Sequence, residues 1–228
     1  MVFISPKNLI TNFLRKNLTD PRNRAEDINT ETFDGGGTEF QLTPIGNVSC
    51  INSVMVNSVE QGFGHYWIDF QNQKIIFYNA TASGTNNVDI TYKQGTSNWI
   101  YPDKALRTLS KTSFPRINVL VVGGSGERLG QYNSNVESSV HFQLDIWTKE
   151  DQTFTIDGIV YANDKLAEYL SYEITKSLRS NVSDMFPALY NYTLLGTPKD
   201  MAFDQEMECF HTVIDIEMKG VDISEGYS

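Results

Sequence analysis

The sequence holds only two cysteines, Cys50 and Cys209, and neither belongs to a Cys-x-x-Cys pair or has a neighbouring histidine pair to complete a metal site. Each sits in a strand-like run, where a thiol behaves as a small apolar group, so two buried free thiols are expected. Basic residues are scarce as well: 18 Lys plus Arg stand against 28 Asp plus Glu, for a formal charge of −10. No basic stretch exceeds scattered pairs such as Arg15-Lys16. The chain therefore lacks the positive patch from which tight binding to a phosphate backbone starts. An acidic wall past which DNA slides without sticking is compatible with this composition.

Long apolar runs are missing too. No stretch approaches the roughly 18 apolar residues of a membrane span, and Met1 to Asn17 has no sustained apolar core, so neither a span nor a signal peptide is expected. Sequons at Asn17, Asn47, Asn79, Asn181 and Asn191 carry little weight without a secretory route. There is no Gly-x-Ser-x-Gly elbow, no plausible Cys–His dyad and no Gly-Lys-Ser/Thr for a phosphate-binding lysine. His65, His141 and His211 come from three separate runs, which gives a metal site weak support. No catalytic residue, no cofactor and no metal is assigned, and the chain is read as a non-enzyme.

What is present is an ordinary globular share of apolar residues, arranged in clear patterns. Ser5-Pro6 opens a helix over about residues 6–18, with Leu9, Ile10, Phe13, Leu14 and Leu18 at helical spacing and Pro21 beyond its end. Residues 33–97 read as short strands divided by Gly, Asn, Ser and Gln: Thr38 to Thr43, Val48 to Asn57, His65 to Phe70, Lys74 to Tyr78 and Val88 to Lys93. A small antiparallel sandwich or barrel is expected there, with a hairpin in "YWIDFQNQKIIFY".

The pattern changes after Asn98. A strand covers about Ile117 to Val122, and "VESSVHFQLDIWTK" alternates Val140, Phe142, Leu144 and Ile146 against Ser139, His141, Gln143 and Asp145. Leu166, Leu170, Ile174 and Leu178 form one ridge of a second helix, capped by Asn163 or Asp164. Strands follow at Ala188 to Leu195 and Glu208 to Lys219, the latter setting Phe210, Thr212, Ile214, Ile216 and Met218 against His211, Val213, Asp215 and Glu217. The fold class is α+β: an α-ββ-α-ββ domain with helices on one face of an antiparallel sheet, plus an all-β insertion. Residues 1–32 and 98–220 make the discontinuous parent domain, 33–97 the insertion and 221–228 a tail. Asp145 and Asp215 are placed opposite the apolar faces of their strands, where the two carboxylates would sit side by side; an acidic contact surface is favoured over acid–base chemistry.

"VVGGSGERLG" joins the first two strands of that domain and carries Gly123, Gly124, Gly126, Glu127, Arg128 and Gly130. It superficially resembles the Gly-Gly-x-Gly-x-Arg-Leu opening of sugar-nucleotide transferases. A phosphate cradle needs a helix to begin directly after the glycines. Here a polar stretch and an alternating strand follow, so the nucleotide-enzyme reading falls behind that of a long hairpin loop in which the glycines take positive φ.

Five segments, "PKNLITNFLRKNL", "FPRINVLVVGGSGERLG", "VHFQLDIWTK", "GIVYANDKLAEYLSYEITKSLR" and "CFHTVIDIEMKG", occur in an order that resembles phage tail terminator (tail completion) proteins. The resemblance covers about 140 residues outside the insertion and lies in pattern and order more than in identical residues. It implies a structural virion protein of the tail or neck, assembled in the host cytoplasm as a homo-oligomer, a hexameric ring on the end of the tail tube. That ring would stop tube growth, contact the tail tube protein and a neck or head-completion protein, and let DNA through without sequence-specific binding. Carried onto this chain, the loop from Gly123 to Asn135 becomes an inter-ring docking element. His141, Gln143, Asp145, His211, Asp215 and Glu217 mark the ring-forming or lumen strands. The insertion has no counterpart in a minimal terminator, so a head-closure or adaptor connector is the alternative.

Overall fold

The first helix, α1 (Pro6–Asn17), places a proline in its opening turn and buries Leu9, Ile10, Phe13 and Leu14, with Leu18 just beyond its end. The computed structural model describes residues 6–62, 65–102, 113–128, 136–181, 191–201, 203–206 and 208–221. Ser5, the expected cap, lies outside them. The stop before Pro21 is a hydrogen-bonded turn: the Asp20 carboxylate accepts the amides of Arg22 and Arg24 and pairs with the Arg24 guanidinium at 2.7 Å.

Seven strands follow: β1 (Asp27–Phe33), β2 (Glu39–Gln41), β3 (Asn47–Val56), β4 (Val59–Glu60), β5 (Tyr66–Asp69), β6 (Lys74–Phe77) and β7 (Val88–Gly95). They form two antiparallel sheets, ordered β1-β7-β3-β4 and β2-β6-β5, and neither closes into a barrel. Phe33 of β1 meets Phe40 of β2 edge-on, with ring centroids 5.5 Å apart, which joins the two sheets. The expected β5–β6 hairpin is present, and its turn holds Gln73 at a φ of 56°. β1 begins before the expected division at residue 33. It pairs residue for residue with β7, Asp27 facing Gln94 and Phe33 facing Val88.

The remaining elements are β8 (Ile100–Tyr101), β9 (Arg116–Arg128), β10 (Val136–Lys149), β11 (Thr153–Ile156), β12 (Ile159–Ala162), α2 (Asn163–Asn181), β13 (Asn191–Leu194), β14 (Lys199–Asp200) and β15 (Cys209–Val221). β11 and β12 pair as a separate hairpin. The others build a six-stranded sheet ordered β13-β15-β10-β9-β8, with β14 also on β15. All its pairings are antiparallel except β8 with β9. Val140, Phe142, Leu144 and Ile146 of β10 and Ile214, Ile216 and Met218 of β15 are buried with the α2 ridge of Leu166, Leu170, Ile174 and Leu178. The described residues thus form a mixed α+β protein, with two helices and mostly antiparallel sheets among them.

α1 lies where the sheets meet. Asn12 Oδ1 accepts the Ile51 amide of β3 at 2.8 Å. Arg15 donates to the carbonyl of Ser49, in β3, at 2.8 Å and to that of Ile100, in β8, at 2.9 Å. Lys93 of β7 donates to the Arg15 carbonyl at 3.1 Å and pairs with Glu26 at 2.7 Å, so a cation sits at the helix C-terminus.

The glycines between β9 and β10 correct an expectation. Gly123, Gly124 and Gly126 are strand residues facing His141, Val140 and Ser138, and Glu127 and Arg128 continue the ladder opposite Glu137 and Val136. Residues 129–135, which include Gly130, lie outside the described residues. Gly123 and Gly124 do not take the positive φ seen at Gly36, Gly46, Gly158 and Gly196. The reason is nonlocal: β10 is already held by β15 on its other side, and the backbone ladder supplies the order that missing side chains cannot.

Candidate functional site

Period-two alternation sends the polar residues of β10 and β15 to one face of the six-stranded sheet, which carries neither α1 nor α2 and, among the described residues, no other helix. The register sets His141 opposite Glu217, Gln143 opposite Asp215, Asp145 opposite Val213 and Trp147 opposite His211. All six residues expected on the ring-forming strands therefore share this face. The two aspartates are diagonal neighbours, which corrects the side-by-side arrangement expected of them. A register of Gln143 against Asp215 separates them by one pair.

Each carboxylate has its own partner. His141 Nε2 lies 3.3 Å from Glu217 Oε1. The Ser139 hydroxyl, and after it His141, hold the Glu217 carboxyl below the usual glutamate range. Gln143 donates to Asp145 Oδ1 at 2.7 Å. His211 Nε2 lies 3.3 Å from that same oxygen without the alignment of a hydrogen bond. Lys199, from β14, reaches Asp215 at 3.2 Å. The face is consequently a compensated polar lattice, and no pair of carboxylates shares a proton as an acid–base couple would.

At the β8 end of the sheet the same face becomes buried. Arg116, Asn118 and Asp145 are all under one-tenth exposed. Arg116 donates to Asn118 Oδ1 at 3.2 Å and stacks its guanidinium 3.7 Å from the Tyr101 ring centroid. The Trp147 and His211 rings lie parallel at 3.8 Å. Neither Trp147 nor Lys199 was identified from the sequence. Trp147 stands in phase with His141, Gln143 and Asp145, so the alternation carried the signal. Lys199 comes from a two-residue strand with no periodicity to find.

Gly123, Gly124 and Gly126 pair across the β9–β10 ladder, so among the described residues they form no phosphate cradle. Among the described residues no three His, Cys, Asp or Glu side chains converge in a way that could hold a metal ion. Cys50 and Cys209 are buried thiols, each pushed up to about 11 by burial. No helix among the described residues is long and apolar enough to cross a membrane. No protein-family model matches the chain, and no curated protein matches it significantly.

Proposed function

We propose that this chain is a structural virion protein that forms a ring, hexameric in the family it resembles, at the head-proximal end of a phage tail tube. There it ends tube growth and joins the tail to a neck or head-completion protein, with DNA passing through the channel. The observation that supports the reading best is the combination of a long β9–β10 hairpin with a sheet that carries both helices on one face and a polar lattice on the other. Around His141, Gln143, Asp215 and Glu217 that face is partly exposed, and its carboxylates, each with its own partner, offer no cationic trap for phosphate. The hairpin end is the docking element, and Glu127, Arg128 and, across the ladder from Glu127, Glu137 are its charged residues there.

Electron microscopy tests this directly. Purified protein should show rings with a central hole, and particles lacking it should carry overlong tails. A strictly monomeric protein that leaves tube length unchanged would refute the proposal, whereas intact tails without heads would transfer the role to a neck connector. Replacing Glu127 and Arg128 together by Ala should weaken docking to tubes while leaving the thermal transition in place.

A further inference from the structure

A closed ring requires each copy to offer two different surfaces that fit one another. The six-stranded sheet has two candidates, its edges. On one side the ladder ends at β9, whose described strand neighbour there is β8, and β8 pairs with Ile117 and Asn118 alone. From Val119 to Arg128, β9 has β10 on one side and no strand among the described residues on the other. An open row of N–H and C=O groups is a template for another strand, and proteins that do not use such an edge blunt it with charge, proline, a bulge or a cover. Val119 to Gly126 contains neither a charge nor a proline; its one irregularity is the bulge at Val122, 56% exposed, where the β9–β10 register shifts between Val121 and Gly123.

Gly123 adds an independent observation. A Cβ built on it meets nothing within 4 Å, so nothing described inside the subunit demands glycine there. Gly124 differs, because its Cβ would lie 2.9 Å from the Ser139 carbonyl. Gly123 follows the bulge at Val122, and with no side chain and open space beside it the strand there leaves room for a second backbone. The far edge of the sheet is formed by β13 and β14, both on β15, and exposes the apolar side chains of Leu195 and Met201 just past them.

Strand direction makes these two edges compatible. β13, β15, β10 and β9 alternate in polarity, so β13 and β9 run in opposite directions. Rotation about an axis along the strands keeps those directions and lays β13 of one copy antiparallel to β9 of the next. We propose, resting on the ring reading above, that copies join head to tail by this strand addition. The glycine edge of β9 receives the β13 edge of a second copy, and one sheet continues around the ring.

Cysteine cross-linking tests the junction, since the native thiols are buried. Val122→Cys combined with Thr193→Cys, and separately with Leu195→Cys, should give a ladder of disulfide-linked oligomers on mild oxidation, lost in each single variant. Dimers from Val122→Cys alone would overturn the proposal, because a two-fold β9–β9 junction sets the same residue on both sides. Rings visible by microscopy without a ladder from either double variant would overturn the edge assignment and leave the ring reading standing. Monomers throughout, in wild type and variants at the highest soluble concentration, would overturn both.

Discussion

Arg15 is 6% exposed, yet its guanidinium reaches the carbonyls of Ser49 and Ile100 and stacks 5.6 Å from the Phe70 ring centroid. Replacement by methionine keeps much of the stem and removes the donors, so Arg15→Met should cost about 1–3 kcal/mol, read from urea denaturation. An unchanged midpoint would mean that those carbonyls are satisfied without it. Glu217 gives a pH prediction. Its carboxyl titrates below its ordinary value of 4.5 in the folded protein, so the ionised form contributes stability above that pH. The contribution is lost as the pH falls through the depressed value. Denaturation of wild type and Glu217→Gln across a pH series should therefore show a difference near neutrality that disappears in acid; a difference constant with pH would contradict the assignment. At this scale the sequence was informative where a pattern repeats, as with the polar side of β10. It was silent where a partner comes from a distant short strand, as Lys199 does for Asp215.

Among the elements, the glycines divide into two kinds. A Cβ at Gly95 would fall 2.2 Å from the Arg24 carbonyl and 2.5 Å from Ala25 Cα, both backbone atoms that cannot step aside cheaply. Gly95→Ala should destabilise by about 1–3 kcal/mol through forced backbone shifts. Gly123→Ala should stay within about 0.5 kcal/mol of wild type in the isolated subunit. Thermal denaturation of both variants separates these outcomes, and equal losses would show that Gly123 has an internal role after all. Both helices and most of the longer strands were legible because buried side chains recur at 3.6 or 2 residues. β1 was not, since Ile28 is 65% exposed, its other large apolar residue, Phe33, stands only at its end, and its order comes from β7. The β11–β12 hairpin was readable and was missed: Asp157-Gly158, both at positive φ, sit between alternating residues and mark a tight hairpin turn.

For the whole molecule, a formal charge of −10 opposes bringing copies together. Assembly should strengthen as salt is raised from low ionic strength towards about 0.15 M, where the screening length falls to about 8 Å. Sedimentation at fixed protein concentration would measure it, and a loss of oligomer with added salt would mean that opposite charges meet at the junction. The order of elements could be read from the sequence because each is a local pattern. The way α1 serves the sheets on either side could not, because it depends on side chains such as Asn12 and Arg15 finding carbonyls and amides far along the chain.

That shared helix also constrains how such a gene can change. Loss of residues 27–101 would remove the strands carrying Ile51, Ser49 and Ile100, leaving Asn12 and Arg15 without those partners and half of an apolar helix face in water. A shorter descendant must therefore rewrite α1 in the same lineage that discards the strands, and a longer ancestor must have acquired both together. The helix face and the strands it serves are coupled through Asn12 and Arg15.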